Sequence, residues 1–271
     1  MKFREIQPPL SLKDYVRYFW VLESTDVEVL PKTFGAIADG SPGIIFQQSE
    51  DGRFYQDHKE LPSVFLYGQT TRYTQLHSPG SFRTIGVYFY PHALKSIFGF
   101  NAAELTNSCL DVDLIPSTVF SQLSERLLNT PKSEEQINVL SAYLVSQIEK
   151  NKRLEAPIIQ YAVAKMLKVN GVVDLKLLQS DLRITERSFE RRFKYDVGIS
   201  PKLLSRIIRF QASMELLRAN NYNKLSDIAF ENDYADQSHF IRSFKEFAGI
   251  SPNQYQKQYT ELVENFPQMK F

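Results

Sequence analysis

Two short runs of the sequence place base-reading side chains at helical spacing. In ERSFERRFK a helical wheel puts Arg187 and Arg191 on one outer face, flanked by Glu190 and Lys194. In DQSHFIRSFKEF the outer side carries Ser238, Arg242 and Lys245, with Gln237, His239 and Ile241 at its edges. Arg grips guanine through two hydrogen bonds, Gln grips adenine in the same manner, and Ser or His donates or accepts. Lysines at the far end of such helices sit by phosphates.

A surface arginine is usually an ordinary solvated charge, so the pattern needs support from the elements that position it. Phe189 and Phe193 lie four apart, as do Phe240 and Phe244, so each run has an inward stripe opposite its polar face. Thr185 and Asp236 are natural N-caps. Ahead of them stand the shorter helical runs LKLLQSDL, after Asp174, and LSDIAFEN, each separated from the next run by a turn of a few residues. Both pairs therefore have the grammar of a helix-turn-helix.

The two units are copies. FKYDVGISP begins at Phe193 and FKEFAGISP at Phe244. Phe189, Arg191, Phe193, Lys194, Gly198, Ser200 and Pro201 recur as Phe240, Arg242, Phe244, Lys245, Gly249, Ser251 and Pro252. A linking helix from Pro201 to about Asn220, with Leu203, Ile207, Phe210, Met214 and Leu217 as its buried stripe, spans roughly 30 Å. That is near the ~34 Å pitch of B-DNA, so the doubled motif is suited to reading two successive major grooves. Between Gly171 and Thr260 basic residues outnumber acidic ones by only 14 to 11, so binding depends on where the charges lie.

The segment from GVVDLKLLQSDL to FAGISPNQY resembles the DNA-binding domain of the AraC/XylS family of bacterial transcription regulators. The resemblance implies base contacts by Arg187, Glu190 and Arg191 in the first copy and by Gln237, Ser238, His239 and Arg242 in the second. It also implies promoter DNA and RNA polymerase as partners, and activation rather than repression. Asp233 stands where the family's second turn usually has Gly, with Arg183 at the comparable first turn; Gln179 and Ser213 replace small residues. More weakly, ADGSPGIIFQ, FLYGQTTRYTQL and RTIGVYFYPHAL resemble the ligand-sensing β-domain of some of these regulators.

The rest of the chain supports a sensing role without naming a ligand. Its 271 residues suggest two domains, 1–152 and 153–271. Runs such as YFWVLES, GIIFQQ, SVFLYGQ and IGVYFY, punctuated by Gly and Pro, read as strands of a compact antiparallel barrel or sandwich. Trp20, Phe34, Tyr67, Tyr88 and Tyr90 are candidates to line a pocket or to fill the core, while ADGSPG reads as a turn. After Pro91 helices take over: PHALKSIFGF, NAAELTN, a run with Phe120, Leu123 and Leu127 on one face, and SEEQINVLSAYLVSQIEK, for which Ser133 and Gln136 suggest a capping box. These either cover the core or form a homodimer face. The expected fold is α+β: a β-rich barrel or sandwich-like sensing domain with flanking helices, then an all-α domain with two helix-turn-helix motifs joined by a long helix.

Composition narrows the alternatives. The single Cys109 allows no internal disulfide and no Cys-rich zinc site, and the formal net charge is +1. His58, His77 and His92 are scattered, which argues against a metal-dependent barrel enzyme carrying a helical targeting module; no cofactor and no metal are expected. No G-x-S-x-G elbow is present. Neither a signal peptide nor a membrane-spanning run is evident, so the expectation is a cytoplasmic, non-enzymatic regulator with no membrane partner, whose effector is unspecified. A first half that only dimerises is the remaining reading.

Overall fold

Alternation along the early strands decides the architecture of the first half. The computed structural model describes residues 1–24, 32–49, 51–78, 80–115, 122–152, 157–220 and 222–259. Strand β2 (Val16–Ser24) sends Phe19 and Val21 to one side and Tyr18, Trp20 and Leu22 to the other. Strands β4 (Gly43–Gln48), β7 (Val64–Tyr67) and β9 (Phe82–Phe89) repeat the division, with Ile44, Leu66 and Val87 opposed to Ile45, Phe65 and Tyr88. A strand apolar on both faces must be covered on both.

With β1 (Lys2–Ile6) and β10 (Cys109–Asp111) at its edges, this antiparallel sheet runs β1-β2-β9-β4-β7-β10. One face packs on a second antiparallel sheet of β3 (Lys32–Ala36), β5 (Tyr55–Gln56), β6 (Lys59–Glu60) and β8 (Thr74–Ser78), ordered β3-β8-β5-β6. Between the sheets Phe82 meets Phe34 and Phe54 edge-on, with ring centroids 5.4 and 5.0 Å apart. Gly86 pairs opposite Trp20 because the indole lies across it: a Cβ there would stand 1.8 Å from Trp20 Cε2.

Helices α1 (Ala93–Phe98), α2 (Leu123–Leu128) and α3 (Ser133–Asn151) cover the other face. Ile137, Leu140, Leu144 and Ile148 of α3 are buried in that core, as are Leu123 and Leu127, so these side chains cover the sheet rather than form a free dimer face. Phe120 lies outside the described residues, as does residue 153 at the expected domain boundary. NAAELTN forms a 3-10 turn, Ala102–Leu105, capped by Asn101. The capping box expected at Ser133 is not made. Lys132 is the N-cap, and Gln136 instead donates from Nε2 to the carbonyls of Leu127 and Thr130, tying α3 to the end of α2 and the loop after it.

The second half is helical throughout. Helix α4 (Pro157–Lys168) precedes α5 (Leu175–Asp181) and α6 (Glu186–Val197), the first helix-turn-helix. The long α7 (Pro201–Ala219) leads to α8 (Leu225–Glu231) and α9 (Gln237–Ala248), the second, and α10 (Pro252–Tyr259) follows. Ser200 accepts from the Leu203 amide and Ser251 from the Gln254 amide, so both GISP segments cap the helix that follows. In α7 the buried stripe is shifted: Leu204 is inaccessible, whereas Leu203 is half-buried. This helix has neighbours on opposite sides, since the β-rich half packs against it as well.

Candidate nucleic-acid interface and interdomain cavity

The recognition helices are fixed from within. Phe189, Phe193, Phe240 and Phe244 are all fully buried, and the ring centroids of each pair lie 5.5 and 5.8 Å apart. Thr185 accepts from the Ser188 amide at 3.4 Å, and Asp236 from the His239 amide at 2.6 Å. Asp233, which stands where a turn glycine is expected, and Arg183 at the comparable first turn both adopt left-handed backbone, with φ of 55° and 51°. Arg209 of α7 supports the second turn: its Nη1 donates to the Asp233 carbonyl at 2.9 Å and its guanidinium lies 5.6 Å from the Tyr234 ring centroid.

On the opposite faces Arg187, Glu190, Arg191 and Lys194 of α6 are exposed, as are Gln237, Ser238, Arg242 and Lys245 of α9. His239 differs. Its Nδ1 accepts from the Ala235 amide at 3.4 Å and its ring stands edge-on to Tyr234, so it also fastens the turn that it leaves. The two outer faces thus present exposed guanidinium, amide and hydroxyl groups, of the kinds that can grip base edges and phosphates.

The C-terminal ends of both helices dock on the β-rich half. At α6, Lys95 of α1 reaches Asp196 at 2.5 Å and lies 4.8 Å from the Tyr195 ring centroid, while the Thr106 hydroxyl donates to the Gly198 carbonyl at 2.9 Å. Burial pushes the Asp196 carboxyl up, and Lys95 opposes that. At α9, the Ala38 amide donates to the Phe247 carbonyl at 3.1 Å, and Tyr73 packs beside Gly249. Between them, Gln211 of α7 donates to the Ala38 carbonyl, and Gly40, with φ of 65°, lies against Leu204. ADGSPG is the expected turn, and it is also a docking point. The two copies diverge between their shared Lys and Gly, YDV against EFA, and Asp196 and Phe247 of this joint occupy the same place in their copies.

A cavity of about 680 Å³ opens at this joint, with walls from the β-sheets, the turn around Asp39, the segment from Gly68 to Leu76 and α7 through Gln211, Met214 and Arg218. Trp20, Tyr67 and Tyr88 of the candidate aromatics line it. Phe34 belongs to the core between the sheets, and Tyr90 stacks on His92 instead. Asp39 was not legible as a site residue. Its carboxyl accepts from the Tyr88 hydroxyl and the Ser41 amide; burial pushes it up to about 7 against these bonds and the field of Arg17. Burial also raises Tyr67 and Tyr88, with Asp39 adding to the effect, and lowers His92 to about 4. Among the described residues no three His, Cys, Asp or Glu side chains group so as to hold a metal ion, and no helix is long and apolar enough to cross a membrane.

Comparison with known proteins separates the two halves. Residues 4–111 match a domain of unknown function, DUF6597, and residues 178–258 match a helix-turn-helix domain. An uncharacterised HTH-type transcriptional regulator of Haemophilus influenzae is 28% identical over 129 residues, 44% of this chain and 43% of that protein. The HTH-type transcriptional regulator MtrA of Neisseria gonorrhoeae is 25% identical over 156 residues, 57% of this chain and 48% of its own length. The chain thus spans less than half the length of these relatives. A crystal structure of ToxT from Vibrio cholerae O395, bound to (E)-4-(8-methylnaphthalen-1-yl)but-3-enoic acid, is 14% identical with a TM-score of 0.47, covering 95% of this chain and 99% of that one. From the duplicated motif, its capped and buried helices and the matched segment, the C-terminal part of the chain is a helix-turn-helix domain of the AraC type.

Proposed function

We propose that this protein is a sequence-specific DNA-binding transcription regulator, without catalytic activity, that inserts α6 and α9 into successive major grooves and senses a small molecule in the cavity at the interdomain joint. One observation carries the reading: two copies of a recognition helix expose matching basic faces, Arg187 to Lys194 and Gln237 to Lys245, while the opposite end of each is bonded to the β-rich half. At about 1.5 Å per residue the 19 residues of α7 span about 28 Å, close to one helical turn of DNA.

The joint supplies the sensing step. The segment that bonds to α7 and α9 at Ala38 also lines the cavity at Asp39, so a ligand that favours one placement of this segment favours one placement of the recognition helices. RNA polymerase is the partner such a regulator would contact.

The test is selection from random-sequence DNA by the purified chain, followed by binding of the winner to wild type, Arg191→Ala and Arg242→Ala. Two short motifs about one helical turn apart are expected, each substitution weakening the preference for one of them by about 1–3 kcal/mol. Absence of any enriched sequence, with and without a ligand that raises the melting temperature, would sink the reading.

A further inference from the structure

The charges around the cavity identify the class of ligand, given the reading of that cavity as an effector site. Its charged lining residues are Asp39, Asp57, Arg72 and Arg218. Asp57 and Arg72 are exposed, and water screens them. Arg218 is engaged on the helical side, where its Nε donates to the Tyr255 hydroxyl at 2.7 Å and its guanidinium lies 5.8 Å from that ring's centroid. Asp39 remains, less exposed than either rim charge and hydrogen-bonded by two neutral donors, the Tyr88 hydroxyl and the Ser41 amide; Arg17, which does not line the cavity, adds only its field.

The apolar lining has the same preference. Trp20, Phe65 and Tyr67 contribute aromatic rings, whose faces carry negative electrostatic potential and attract cations, whereas the Tyr88 ring is stacked on Tyr18 and lies 5.8 Å from the Arg17 guanidinium. A carboxylate among aromatic rings favours a positive head group, disfavours an anion, and gives a neutral donor less than either the rings or the carboxylate can offer a charge. The cavity's volume suits a compact organic molecule rather than a bare ion.

We propose that the cavity binds a small organic cation, an ammonium group on an apolar body, with the charged head paired to Asp39 and the body against Trp20 and Phe65. Binding at Asp39 acts on the joint directly, because the adjacent Ala38 is bonded to Phe247 of α9 and to Gln211 of α7.

Proton linkage follows from the site. Without a ligand burial lets Asp39 hold its proton up to about pH 7, a value lowered by the nearby Arg17 guanidinium, while the tyrosines that face it, Tyr18, Tyr67 and Tyr88, stay neutral. The ammonium pairs with the ionised carboxylate, so below that pH binding expels a proton and affinity falls as the solution is acidified.

Trp20 is the chain's single tryptophan and lines the cavity, so its emission reports occupancy. The experiment titrates the full chain with phenylbutylamine, phenylbutanol and phenylbutyrate, which share a body and differ in head charge. The amine alone is expected to give a saturable emission change and a raised melting temperature, about tenfold or more weaker in Asp39→Asn. In the wild type its apparent Kd should rise about tenfold for each pH unit below 7. Equal or tighter binding of the alcohol or the butyrate overturns the cation class and leaves the cavity an effector site; no response to any probe overturns both. The comparison of probes and the wild-type pH profile stand even where Asp39→Asn fails to fold, and unchanged amine binding by a folded Asp39→Asn overturns the assignment.

Discussion

The Ala38 amide donates to the Phe247 carbonyl at 3.1 Å, and the Ala38 carbonyl accepts in turn from Gln211 Nε2. Both backbone groups of one residue of the β-rich half are therefore used by the helical half. Ala38 has no exposed surface and packs within the helical core, so water cannot replace either bond cheaply. Gln211→Leu keeps the bulk of the side chain but strands the Ala38 carbonyl. Urea unfolding is expected to show a loss of about 1–3 kcal/mol, and an unchanged midpoint would show that this bond contributes nothing.

Gly198 and Gly249 end equivalent helices but differ in what surrounds them. Both have left-handed backbone, with φ of 98° and 75°. A Cβ on Gly198 would stand 2.5 Å from Gln69 Oε1 and 2.9 Å from the Ala102 carbonyl oxygen, whereas one on Gly249 would meet the Tyr73 side chain at 2.9 Å. Tyr73 is half-buried and can swing away; the Ala102 backbone cannot. Each Gly→Ala change carries the cost of left-handed backbone for a residue with a Cβ, about 1–2 kcal/mol, and Gly198→Ala is expected to lose about 1–3 kcal/mol more through overpacking. Thermal melts of the two variants side by side decide the matter, and equal losses would contradict it.

The Lys95–Asp196 pair joins α1 to the first recognition helix with little exposure on either side: 18% for the lysine side chain and 5% for the aspartate. Lys95→Ala leaves a buried carboxyl without its cation and is expected to cost about 3 kcal/mol, within the range for breaking such pairs. Asp196→Asn in the same chain should restore part of that loss, because it removes the charge left behind. A double variant no more stable than Lys95→Ala would exclude this account.

The sequence already displayed most of the helical half, because its signals are local. Periodicity, caps and a duplicated nine-residue segment each rest on neighbours within one or two turns. The β-rich half was legible as strands, with Trp20, Tyr67 and Tyr88 as pocket candidates, but Asp39 was not, since it reaches the cavity only when distant strands assemble around it. Its position in ADGSPG looks like any polar turn residue. The joint did leave a trace in the divergence of YDV from EFA, although a difference between copies shows no partner by itself. The capping box at Ser133 failed for a tertiary reason: Gln136 found two carbonyls, Leu127 at the end of α2 and Thr130 in the loop after it, which the local pattern cannot foresee.

Within the recognition faces, lysine and histidine should separate by the kind of defect they produce. Lys194 is exposed near the end of α6, where a phosphate contact is the role its charge suits. Lys194→Ala is expected to weaken all sequences alike and to reduce the slope of log affinity against log salt by about 1. His239, which accepts from the Ala235 amide, should instead lower stability by about 1 kcal/mol when replaced by Ala. A salt slope unchanged by Lys194→Ala, or a His239→Ala variant of full stability, would reverse these assignments.

Asp39 and His92 give stability opposite dependences on pH. Burial holds the Asp39 carboxyl at about 7, against about 3.9 in an unfolded chain. Between these values the folded protein retains a proton that the unfolded chain has lost. The contribution of Asp39 is therefore complete below about pH 4, declines as pH rises, and is gone above about 7. His92, held at about 4 by burial against an ordinary value of about 6.5, works the other way: its contribution is complete above 6.5 and is lost as pH falls towards 4. The total curve blends the two, but the difference between wild type and Asp39→Asn cancels His92. Relative to wild type, Asp39→Asn should gain stability between about pH 5 and 7, by up to a few kcal/mol, and remain level above that. Urea midpoints across this range test it: a difference that does not change with pH would mean that Asp39 ionises in the cavity as it does in water.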